Sequence, residues 1–103
     1  MKKDVPRETG CYIYGGVEGF VGELTPNEAI ILSFLPMKWK YIARDKDRTL
    51  FIYTSKPVKD PYHEAWISYK GEELIFPYTN LFKMVKWADN KPVNIDNLIR
   101  GYR

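Results

Sequence analysis

The hydrophobic positions of this chain fall in short runs cut by turn residues, a spacing that predicts strands, with one longer apolar run set behind a helix start. Cys11-Tyr12-Ile13-Tyr14, Gly15-Gly16 and Val17 to Val21 read as a tight hairpin, because paired glycines supply the positive φ angles of a two-residue turn. Thr25-Pro26-Asn27-Glu28 predicts a helix N-terminus: Thr25 caps, Pro26 suits the first helical position, and Glu28 closes a capping box. The run Ala29 to Leu35 is apolar nearly all round, so this helix is expected to be deeply buried, and Pro36 to stop it.

Trp39 to Arg44 and Thr49 to Thr54 flank the charged turn Asp45-Lys46-Asp47-Arg48 and form the clearest hairpin. Pro57 and Pro61 bracket a loop. Glu64 to Tyr69 reads as a strand, Lys70-Gly71 as a turn, and Glu73 to Phe76 as its short partner. Tyr78 to Lys86 is ambiguous, since Leu81, Phe82 and Val85 have helical spacing in a short segment. Asn94 caps a last helical turn from Ile95 to Arg100, with Gly101 placed to end it. The fold class is therefore α+β: an antiparallel sheet of hairpins, one short buried helix and a short C-terminal helix. One domain over residues 1–103 accounts for the whole chain, the first nine residues being polar and loosely held.

Composition narrows the function classes. The chain is 45% hydrophobic and 16% aromatic, which suits a packed globule and leaves rings over for an interface. A net charge of +3 permits attraction to nucleic acid or an acidic protein without requiring it. Cys11 is the only cysteine, which excludes an internal disulfide and a cysteine-based zinc site and fits a reducing cytoplasm. Nothing resembles a signal peptide, and no apolar run approaches the ~20 residues of a membrane helix, so a cytoplasmic protein without a membrane partner is expected.

Catalytic constellations are weak. Cys11 and His63 could form a nucleophile and base, but a cysteine on a strand is more often a small core residue. His63 with Asp60 and Glu64 has no recognised metal spacing, and Asp45/Asp47 and Glu72/Glu73 read as solvated turn acids. Gly15-Gly16-x-x-Gly19 lacks the following helix of a phosphate loop. No enzyme activity and no cofactor are expected.

The central hairpin carries the more informative pattern. Alternation places Trp39, Tyr41 and Ala43 on one face and Lys38, Lys40, Ile42 and Arg44 on the other. With Lys46 and Arg48 in the turn, the second face reads either as a solvated outer surface, the first being packed on the helix, or as a basic stripe for phosphates. Tyr53, Trp66 and Trp87 are the aromatics that complete the set of candidate binding residues. Trp87 and Pro92 could form a docking edge, while Phe82, Val85, Ile95 and Leu98 are expected to close the core.

Two stretches, Trp39-Lys40-Tyr41-Ile42-Ala43-Arg44-Asp45-Lys46-Asp47 leading to Tyr53…Lys56-Pro57, and Leu81-Phe82…Trp87-x-Asp89-x-x-Pro92-x-x-Ile95-x-x-Leu98-Ile99, resemble small accessory proteins of unassigned function from phages and prophages of Firmicutes. The resemblance runs from about Thr25 onward, and differs at Asp47-Arg48, where such sequences have Asp-Gly. It implies a protein that binds and inhibits a bacterial host or defence protein, anti-CRISPR-like in role, and it carries over no catalytic residue. Two alternatives stay open on the residues: a nucleic-acid-binding module using the basic hairpin, and a protein that sequesters a nucleotide or other small ligand.

Overall fold

In a computed structural model of the chain, which describes residues 24–102, the predicted helix start is present as read. Helix α1 spans Pro26–Ser33. Thr25 Oγ1 accepts the Glu28 N–H at 3.2 Å and Glu28 Oε1 accepts the Thr25 N–H at 2.9 Å, which closes the capping box. The expectation of burial all round holds for one face only. Ala29, Leu32 and Ser33 are buried, whereas Ile30 is 47% and Phe34 68% exposed. A helix laid on one side of a sheet can turn only one stripe to the core, whatever residues occupy the rest.

The central hairpin forms β1 (Tyr41–Arg44) and β2 (Leu50–Tyr53), antiparallel, with Ile42 opposite Ile52 and Arg44 opposite Leu50. Two further hairpin strands are β3 (Val58–Asp60) and β4 (Ala65–Ile67), and β5 covers Glu73–Ile75. Near the C-terminus, β6 (Val93–Asn94) runs directly into helix α2 (Ile95–Tyr102). The main sheet has the order β5-β2-β1-β6, and β3-β4 is a separate ribbon. Two helices with an antiparallel sheet make this an α+β fold.

The strand partners and the C-terminal cap differ from the sequence expectations. The stretch between Pro57 and Pro61 is a strand, not a loop, and it takes the Glu64–Tyr69 segment as its partner, Lys59 opposite Trp66. The turn joining them is built on Asp60, whose Oδ1 accepts the Tyr62 N–H at 3.0 Å, with Pro61 next and Glu64 at φ +57°. The Glu73–Phe76 segment, left without that partner, pairs with β2, Leu74 opposite Ile52. Gly71, at φ +75°, redirects the chain: a Cβ there would collide with the Thr54 and Ser55 side chains. Finally, Gly101 lies inside α2 rather than beyond it. The expected hairpin from Cys11 to Val21 lies outside the described residues.

The sheet is covered on both faces, which overturns the reading of a solvated outer face. Ile42, Leu50 and Ile52 meet Ala29 and Leu32 of α1, Ile95, Leu98 and Ile99 of α2, and Phe76, Phe82 and Val85 in the main core. The opposite face, Ala43 and Tyr53, packs against Trp66 of the ribbon, with Tyr41, Phe51 and Trp87 at its margin. Alternation starts only at Tyr41. Trp39 precedes the strand and packs in the main core, so it does not share a face with Tyr41 and Ala43. Phe82, Val85, Ile95 and Leu98 are all buried, as the sequence suggests.

Candidate functional site

The segment 76–92 has little regular structure and is held by two buried charged side chains. Arg44 Nε donates to the Val85 carbonyl at 2.8 Å, Nη1 to the carbonyls of Arg48 and Thr79, and Nη2 to those of Leu81 and Phe82. All of its donors are spent on backbone oxygens, in a geometry that only a planar guanidinium can supply. On the other side, Glu28 Oε2 accepts the Phe82 N–H at 2.7 Å. Phe82 sits at φ +58°, an unfavourable angle for an aromatic residue that these two contacts hold in place. Burial, with Arg48 nearby as a second cation, pushes the Arg44 pKa below its ordinary value.

This scaffold sets the 79–87 segment opposite the tip of the β1–β2 hairpin and leaves a cleft of about 600 Å³ between them. The tip is a three-residue loop: the Arg48 N–H donates to the Asp45 carbonyl and the Asp45 N–H to the Thr49 carbonyl, both at 2.9 Å. Such a loop needs a left-handed residue at its last position, and Arg48 fills it at φ +79°. Arg44, Lys46, Arg48, Lys83 and Lys86 line the cleft together with Asp45, Asp47, Thr49, Thr79, Asn80 and Trp87. Both acids are engaged by backbone. Asp45 Oδ1 accepts the Trp66 N–H, although burial still raises the pKa of this carboxyl, and Asp47 Oδ1 accepts the Thr49 N–H, which lowers its own. Asp45 is thus half-buried, contrary to the expectation that it simply sits in water.

Of the residues singled out from sequence, the fold brings Arg44, Lys46, Arg48 and Trp87 to this cleft. Lys46 is exposed and pairs with Glu64 at 3.1 Å. Lys38 stands before β1 at the far end from the turn, paired with Glu72 at 3.0 Å, and Lys40 is half-buried beside β6. Tyr53 is fully buried and Trp66 only 4% exposed, so neither ring is offered to a partner. The Trp66 indole N–H instead donates to the Arg44 carbonyl at 3.2 Å, and Trp87 meets the Trp66 ring edge-on. Lys59 lies 4.3 Å from the Trp87 ring centre and donates to the Trp87 and Asp89 carbonyls, which fixes the far end of the segment.

No protein-family model, curated protein or solved structure matches this chain. The site must therefore be read from its own atoms. Among the described residues no helix is long and apolar enough to cross a membrane, and no group of acidic, histidine or cysteine residues could hold a metal. His63 Nδ1 lies 2.6 Å from Asp60 Oδ2 on an exposed turn, which lowers the Asp60 pKa, while Cys11 lies outside the described residues.

Sequence reading missed Thr79, Asn80, Lys83 and Lys86. Nothing in their spacing points to the hairpin tip, from which they are separated by the whole of β2 to β5. The usable signal was weaker: two lysines in a segment without a regular period, next to core residues that had to be anchored.

A second exposed feature lies at the sheet edge. Among the described residues β5 is the outermost strand of its sheet, all three of its residues are exposed, and Leu74 and Ile75 are 52% and 55% so. The register pairs Leu74 with Ile52 between the Thr54–Glu72 and Phe76–Leu50 bonds, which turns the N–H and C=O of Glu73 and Ile75 away from β2. Tyr69 stands exposed just ahead of the strand and Tyr78 just after it.

Proposed function

We propose that this chain is a small phage-borne binding protein that occupies a bacterial host or defence protein in the host cytoplasm, an anti-defence role of the anti-CRISPR kind. The observation that supports this reading best is the open edge of β5. A strand edge with outward backbone groups is a template for another chain, and folded proteins ordinarily blunt it with charge, proline or a cover. Here the one charge on β5 is Glu73, at its start, while Leu74 and Ile75 project on alternate faces of the edge and Tyr69 and Tyr78 flank it. A partner strand added to β5 would take main-chain bonds from Glu73 and Ile75 and bury the apolar side chains beside them.

The resemblance to phage accessory proteins supplies the kind of partner, and the edge supplies the means. Binding fits the rest of the described residues, whose buried charged side chains, Glu28 and Arg44, are spent on backbone groups.

The test uses two variants of β5 against a bacterial protein captured by the full chain and then purified. Glu73→Pro removes an outward N–H without touching the bonds to β2, and Ile75→Lys places a charge on the edge. Both are expected to weaken binding about tenfold or more while thermal unfolding stays close to wild type. Full retention of binding by both variants would remove the edge as the docking surface.

A further inference from the structure

Arg44 is a buried cation with no carboxylate partner among the described residues. Its exposure is 8%, and the ion pairs formed among the described residues are Lys38–Glu72, Lys46–Glu64 and His63–Asp60. Carbonyl dipoles solvate its guanidinium, but its positive charge remains uncancelled under the floor of the cleft. Above it, Arg48, Lys83 and Lys86 are exposed on the walls and have no ion-pair partner among the described residues. Two carboxylates, Asp45 and Asp47, line the same cavity and each also accepts a backbone N–H, and Asp89 Oδ2 accepts the Lys86 N–H at 3.0 Å.

Five basic side chains and the carboxylates of Asp45 and Asp47 line the cavity; the balance is positive, attracts an anion, and is concentrated by the concave wall. The cavity, at about 600 Å³, has the size of a small-molecule site rather than of an extended groove. Its neutral lining of Thr49, Thr79 and Asn80 offers hydroxyl and amide hydrogen-bond donors. The walls are also held in advance. Arg44 ties the Arg48 carbonyl of one wall to the Thr79, Leu81, Phe82 and Val85 carbonyls of the other, so little order has to be gained on binding.

We propose that the cleft between the β1–β2 turn and the 79–87 segment binds a small phosphate-bearing ligand of high negative charge, with Arg48, Lys83 and Lys86 on its phosphate oxygens. This site is separate from the β5 edge and does not depend on it. A di- or triphosphate group matches three converging cations better than a carboxylate does, because it presents several charged oxygens at once. The strand-tracking alternative is disfavoured by the hairpin itself: Lys38 and Lys46 are paired with glutamates, Arg44 is enclosed, and no continuous basic track runs from the turn along β1.

Titration calorimetry on the full chain, with pyrophosphate, ATP and a single-stranded oligonucleotide as separate probes, tests the assignment. Pyrophosphate and ATP are expected to bind saturably with a dissociation constant at or below about 100 µM at low salt. Lys83→Gln/Lys86→Gln, which alters only exposed side chains, is expected to weaken both about tenfold or more with an unchanged unfolding midpoint. Glu73→Pro is expected to leave this binding intact, which separates failure here from failure at the sheet edge. Absence of saturable binding of pyrophosphate and ATP up to about 1 mM overturns the proposal. So does binding that the double variant does not weaken, or binding of the oligonucleotide alone.

Discussion

The Glu28 carboxylate accepts the backbone N–H of Phe82 at 2.7 Å across 54 positions of sequence. Its other oxygen closes the capping box on Thr25, so one side chain starts α1 and anchors the irregular segment that forms a wall of the cleft. Both contacts need an acceptor. Glu28→Gln keeps the size but supplies only one acceptor oxygen, so one N–H loses its partner. A loss of about 1–2 kcal/mol is expected, seen as a lower midpoint in thermal unfolding followed by circular dichroism. An unchanged midpoint would show that this anchor contributes nothing.

Arg44→Lys tests the second anchor. An ammonium has three donors and no planar fork, so it cannot serve the carbonyls of Arg48, Thr79, Leu81, Phe82 and Val85 together. Losing at least two of five hydrogen bonds from a buried charged group, at about 1.5–3 kcal/mol each, costs on the order of 3–5 kcal/mol. The variant is expected to unfold at markedly lower urea concentration than wild type. It should also lose amide-exchange protection at Val85 and Phe82 before it does so at Ile42 and Ile52.

Arg48 occupies a left-handed position where glycine would carry no steric cost. Arg48→Gly is therefore expected to stabilise the fold by about 1 kcal/mol, because relief of the left-handed strain outweighs the added freedom of the unfolded chain. If the phosphate site is as proposed, the same substitution weakens pyrophosphate binding. Stability and binding then move in opposite directions, a result that a purely structural role for Arg48 does not produce.

Tyr53 gives a prediction in pH. Its hydroxyl is buried without a hydrogen-bond partner among the described residues, and burial, with Asp45 and Glu73 adding like charge, raises its pKa well above 10.0. A raised phenol pKa favours the protonated form in the folded state. Its contribution is thus fully present below the unfolded value of about 10 and is lost as pH climbs from there toward the higher folded value. Tyr53→Phe removes both the orphaned hydroxyl and the titration. It is expected to gain about 1–2 kcal/mol at neutral pH and to move alkaline unfolding to higher pH. Destabilisation at neutral pH would show that the hydroxyl has a partner after all.

Legibility followed the range of the interactions. The capping box of Thr25 and Glu28, the Asp45–Arg48 turn and the Asn94 cap are local, and each is found where its residues place it; Asn94 Oδ1, for instance, accepts the Asn97 N–H at 2.9 Å. Strand pairing was read only where a short turn enforced it, as in β1 and β2. The strand partners of Ala65–Ile67 and Glu73–Ile75 were misread, because β3 is three residues long and lies in what reads as a proline-bounded loop. Arg44 and Glu28 looked like a surface cation and a simple cap; their long-range partners are backbone groups, which leave no trace in residue types.

The Asp45–Arg48 turn, the start of α1, the supply of apolar side chains for a core and the lack of a cysteine or histidine cluster are all set by residue types close together in the chain. These follow from interactions within a few residues and from composition. Which cations are free emerges on folding. Folding encloses Arg44, pairs Lys38 and Lys46 with glutamates, and brings Arg48 to Lys83 and Lys86 across a cavity. The physical reason is that charge becomes a site only through burial and convergence, and both are properties of segments far apart in the chain.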